Sequence, residues 1–118
     1  MPPILDEEIS QLVRDSNLPG TLLRDVHYTR SLVQSAIGAS RNCDMADAVH
    51  AAQLAGYQAG TIAGLLNPIL EGTEKVRESS RTIAFQLWYE MRNYMDMFYD
   101  LSEQVANSCT CARKDSRR

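Results

Sequence analysis

Asp44 to Leu66, DMADAVHAAQLAGYQAGTIAGLL, is the stretch that decides the fold. Within it Ala48, Ala52, Gly56, Gly60 and Gly64 recur every four residues, and Ala51, Ala55, Ala59 and Ala63 form a second row beside them. At about 3.6 residues per helical turn the two rows lie side by side, and so narrow a face lets another backbone approach closely. A glycine inside a helix costs roughly 1 kcal/mol against alanine, so three of them at this spacing ask for a packing reason. Leu54 and Leu65 lie nearly opposite the small rows. A helix with apolar contact on more than one side belongs at the centre of its bundle.

The same small-xxx-small spacing occurs in membrane helix dimers. Here Asp47, His50, Gln53 and Gln58 interrupt the apolar run, which argues against a membrane span. Downstream, Asn67 before Pro68 should end or bend the helix, with Ile69 and Leu70 adding a turn before Gly72 closes it.

Working outward, the acidic triplet Asp6-Glu7-Glu8 suits a helix N-terminus, and Leu5, Ile9, Leu12 and Val13 share one face behind it. Asn17-Leu18-Pro19-Gly20 is a stop. Thr21 then opens a second helix carrying Leu22, Val26, Val33 and Ala36, which Gly38 should end. Thr73 opens the longest element. It is polar through Thr82, then carries Ala84, Trp88, Met91, Met95, Phe98 and Val105 in one row and Ile83, Leu87, Tyr94 and Leu101 in another. The expected fold is therefore all-α: a small antiparallel bundle of about four helices, at 5–16, 21–37, 44–67 and 73–106. The small-residue Ala/Gly helix is central and the C-terminal helix is long. Residues 1–106 form a single domain, and 107–118, locally basic and without periodicity, read as a flexible tail.

The 118 residues carry a net charge of −3, and their twelve Lys and Arg form no basic stripe. Nucleic acid is therefore not the expected partner, and a regulator using a dimer and the basic tail is the alternative. The N-terminus lacks a basic region followed by an apolar run, and the three cysteines are an odd number, which places the chain in a reducing, cytoplasmic setting with Cys109 and Cys111 as free tail thiols.

Candidate sites are sparse. Asp47 and His50 can meet on one helix face, but two groups fall short of the ligand count a metal site needs. Cys109-Thr110-Cys111 lacks a second Cys/His pair, and Met91, Met95 and Met97 suit core filling better than copper. A metal- or small-ligand-binding bundle stands third among the readings. No catalytic motif stands out, and neither a metal nor a cofactor is expected. Trp88, Met91, Tyr94, Met95 and Phe98 concentrate aromatics and methionine in one segment, as interface cores do.

Tyr99-x-x-x-Glu103 near the end of a chain of this length resembles the helical-hairpin substrates of type VII secretion. The Trp-x-Gly turn of that family is absent, with Asn67-Pro68 to Gly72 standing in its place, so no family is assigned. The expected function is a non-enzymatic protein–protein interaction module: an adaptor, assembly subunit, chaperone or proteinaceous inhibitor. It forms a homodimer through Trp88, Met91, Met95, Phe98 and Tyr94 and binds a heterologous protein. Ala48, Ala52, Gly56, Gly60 and Gly64 serve helix packing.

Overall fold

Four amphipathic segments become four helices in a computed structural model that describes residues 3–107, with side chains through Leu101. They are α1 (Asp6–Asp15), α2 (Leu22–Arg41), α3 (Met45–Leu70) and α4 (Glu78–Asn107). The expected tail beyond Asn107, with Cys109 and Cys111, lies outside the described residues. The helices form an elongated antiparallel bundle, 59 × 23 × 23 Å. α3 packs against both α2 and α4, and the shorter α1 lies across α2 and α4 at one end. The central position expected for the small-residue helix is therefore the one it occupies.

Three boundaries differ from the sequence expectation, each for a local reason. α2 does not stop at Gly38, because that glycine keeps a helical backbone. The helix ends at Arg41, where Asp44 N–H reaches Ala39 C=O at 2.9 Å and Cys43 N–H reaches Ser40 C=O at 3.1 Å. This is the Schellman pattern, with Cys43 at φ 59° in the left-handed position that glycine usually takes. α3 runs through Pro68 to Leu70. The proline removes one N–H, which would have bonded Gly64 C=O, and burial of Ile69 holds the last turn against the core.

α4 starts at Glu78 and not at Thr73. Gly72, at φ 83°, turns the chain, and Glu74 N–H and the Thr73 hydroxyl both donate to Pro68 C=O, at 2.9 and 3.1 Å. Residues expected in the first turn of α4 instead hold α1 in place. The Glu74 carboxylate accepts Asn17 N–H at 2.6 Å, and Arg77 Nε lies 2.6 Å from Asp15 Oδ2. Asp15 also accepts from Ser80 Oγ at 2.5 Å and Gln11 Nε2 at 2.9 Å. These donors, the Ser80 hydroxyl foremost, hold its carboxyl below the usual carboxylate range.

The core has two parts. Where all four helices meet, Ile9, Leu12, Leu22, Val26, Ile62, Leu66, Ile69, Leu87 and Met91 form a continuous cluster. At the three-helix end the fill is thinner: Ala36, Ala52 and Leu101, flanked by Met97 and Phe98. Alanines suit that end because α3 must touch a helix on each side. Ala48, Ala52, Ala55 and Ala59 are all fully buried.

Candidate interaction surfaces

The aromatic and methionine row of α4 faces its own bundle. Met91 is fully buried, and Trp88, Tyr94 and Met95 are partly buried against the main core. Phe98 packs on the smaller cluster. The structure thus brings these five residues together along the inner side of α4, where the chain itself covers most of their surface. Trp88 keeps an outer edge, meeting Tyr89 edge-on with centroids 5.3 Å apart, while the Arg92 guanidinium carbon lies 5.9 Å from its ring centre. The glycine row also has a direction. A Cβ at Gly56 would meet Phe98 Cβ at 3.9 Å, one at Gly60 would meet Met95 Cε at 3.9 Å, and one at Gly64 would meet nothing within 4 Å. The row turns gradually from α4 toward solvent, as a four-residue spacing does on a 3.6-residue helix.

Opposite α3, the space between α2 and α4 forms a groove of about 610 Å³, lined by Pro3, Ile4, Gln34, Gln86, Tyr89 and Asn93. Arg30, Glu90 and Tyr94 complete its wall. Arg30 donates from Nε and Nη2 to the Glu90 carboxylate at 2.7 and 2.8 Å, and the Tyr94 hydroxyl donates to the same carboxylate at 2.6 Å. Burial works to raise the Glu90 carboxyl, but the Arg30 and Tyr94 bonds outweigh it and hold the group below its ordinary value. Burial, followed by the adjacent Glu90 carboxylate, pushes the Tyr94 phenol well above its ordinary value. Each charge in the trio is thus paired within it. Its evident work is to join α2 to α4 across a groove that apolar side chains do not fill.

The outward side of α3 is of another kind. From Ala48 to Leu70 the helix carries no Asp, Glu, Lys or Arg. His50, Leu54, Tyr57, Thr61, Leu65 and Pro68 follow one another at three- and four-residue steps and so share a face. On it Leu54 is 39% exposed, Leu65 38% and Tyr57 76%. Leu54 and Leu65 lie away from the small rows, as their wheel positions indicated. Tyr57 was not singled out by the sequence patterning, although the charge-free run around it was a visible signal.

The remaining candidates do not converge. Asp47 turns toward Asp44, whose hydrogen bond raises the Asp47 carboxyl, and Asp44 caps α3 by accepting Asp47 N–H at 3.4 Å. His27 Nε2 sits 3.1 Å from Asp6 Oδ1 on α1. Among the described residues no group of three or more His, Cys, Asp and Glu is placed to hold a metal ion. Also among them, no helix is long and apolar enough to cross a membrane. Cys43 is disulfide-bonded, and the expectation of free tail thiols falls on Cys109 and Cys111, outside the described residues. Comparison with known proteins returns no matching family model, no similar curated protein and no similar solved structure.

Proposed function

We propose that the chain is a non-enzymatic protein–protein interaction module, a self-associating helical bundle that meets its partners through the outward face of α3. One observation carries this reading: a charge-free helix face that exposes Leu54, Tyr57 and Leu65 along its length. Exposed apolar side chains grouped on one face mark contact sites in soluble proteins, and tyrosine suits such sites because it pairs a large apolar ring with a hydroxyl. The absence of enzymatic activity is part of the proposal. It is supported by the mutual pairing of Arg30, Glu90 and Tyr94, which engages the titratable groups of that groove other than the Tyr89 phenol.

A photo-crosslinking residue at position 57 of the full chain, expressed in its native cell, tests the reading. Protein adducts at 57, with none from position 24 on the exposed side of α2, are expected. Absence of adducts at 57 refutes the proposed face. A cytoplasmic location is part of the proposal, whereas a disulfide kept at Cys43 in the cell would fit an oxidising compartment, where disulfides chiefly persist. Thiol alkylation at the moment of lysis, read by mass, decides between the two.

A further inference from the structure

We infer that the outward face of α3 takes a second copy of this chain in an antiparallel two-fold pairing, with Tyr57 of each copy seated over Gly64 of the other. This rests on the interaction reading above and names its partner.

Charge is the first argument. The chain carries a net charge of −3, so two copies repel unless they meet where neither presents like charges. α1 opens with Asp6, Glu7 and Glu8, exposed α2 carries Arg24 and Asp25, and exposed α4 carries Arg81, Arg92, Asp96 and Asp100. Among the described helices α3, between Ala48 and Leu70, has the longest run free of Asp, Glu, Lys and Arg; the next, on α2, spans only Ser31 to Ser40. Two-fold pairing sets each surface against itself, so a neutral surface is the one that survives the operation. A different protein would find no charge there to read.

Shape is the second argument. Tyr57 and Gly64 are seven residues apart and lie about 20° apart around the helix, at 100° per residue. Tyr57, 76% exposed, is a projection, and Gly64, with nothing within 4 Å of its missing Cβ, is a recess on the same face. When a copy is turned antiparallel about a point between residues 60 and 61, projection meets recess twice. The two leucines then flank these contacts on either side of the centre.

The size of the contact sets its strength. α3 has 26 residues, hence about 39 Å of length, and a helix is ~10 Å wide, so each copy contributes roughly 400 Å². That is about half the ~800 Å² per partner of a stable interface, which makes this a weak, concentration-dependent dimer with dissociation in the micromolar range or above.

Sedimentation of the purified full chain over micromolar to millimolar concentration is the test, joined to photo-crosslinking from position 57. The expected result is a reversible dimer whose crosslinks fall within residues 60–68 of the second copy. Tyr57→Glu weakens it at least ~10-fold by setting a carboxylate on the neutral face, without changing the melting temperature of the dilute protein. Gly64→Ala weakens it too, while raising that melting temperature. A dimer whose crosslinks fall elsewhere, or one indifferent to Tyr57→Glu, overturns the pairing. A monomer at every concentration also overturns it. In that last case, adducts from position 57 to another protein in the cell leave the interaction reading standing, and their absence removes both.

Discussion

Replacing Glu90 by Gln removes the charge at the centre of the only ion pair that joins α2 to α4 among the described residues. Glu90 accepts three hydrogen bonds, two from Arg30 at 2.7 and 2.8 Å and one from Tyr94 at 2.6 Å. The glutamine amide has the same shape but one acceptor oxygen, and its NH₂ would point at a donor. At least one Arg30 bond is lost, and the guanidinium, 23% exposed, is left half-buried beside a neutral group. Hydrogen bonds to charged groups are worth about 1.5–3 kcal/mol each, and partial exposure lowers the value, so the net cost is about 2 kcal/mol. For a chain of this size that corresponds to a fall of roughly 5–10 °C in melting temperature. Thermal unfolding followed by circular dichroism reads it directly. A double-mutant cycle with Arg30→Met should return a coupling of ~1 kcal/mol or more, because each single change breaks the same bonds. A melting temperature within 1–2 °C of wild type, or zero coupling in the cycle, would refute the view that this trio joins the two helices.

Other changes have equally definite outcomes. The Asp15 carboxyl is held below its ordinary value, so its contribution to stability is present above the carboxylate range and is lost as pH falls through its folded value. Melting curves from pH 6 to pH 2 should therefore show an acid loss that shrinks in Ser80→Ala. Gly60→Ala should stabilise the chain by up to about 1 kcal/mol, since its Cβ would meet Met95 Cε at an ordinary 3.9 Å and the helix gains propensity. A loss in chemical denaturation would show that the α3–α4 contact is tighter than this. Met91→Ala, at a fully buried position, should cost about 2–5 kcal/mol by the same measurement. A cost under about 1 kcal/mol would mean that α4 is not packed where the structure places it.

The architecture was legible because periodicity reports burial. The alanine steps of α3 and the double row of α4 named the central helix and its long neighbour, and all four elements fall where apolar spacing put them. The ends were less legible, since backbone bonding outside the pattern decides them. Cys43 taking a left-handed turn in place of Gly38 is one such case, and residues 73–77 spent on holding α1 are another. The Arg30–Glu90 pair left no trace in the sequence, because the partners are 60 residues apart and neither sits in a motif. From the sequence the α4 stripe reads as an interface core, because it concentrates aromatics and methionine. α3 covers much of it through glycines and alanines, which bring the helices close enough for Met95 and Phe98 to reach the α3 backbone region. The face proposed for partners is then the far side of α3, whose signal was the missing charge.

The central claim is that the two sides of α3 do different work, the small buried side holding the bundle and the outward side meeting a partner. Ala55 and Tyr57, two residues apart, sit on opposite sides, one fully buried and the other 76% exposed. Melting temperature and association, measured together on Ala55→Leu and Tyr57→Glu, test the division directly. Ala55→Leu should overpack the bundle and cost about 1–3 kcal/mol, whereas Tyr57→Glu should leave the dilute melting temperature unchanged and weaken association at least ~10-fold. Equal destabilisation by both, or association indifferent to Tyr57→Glu, would contradict the claim.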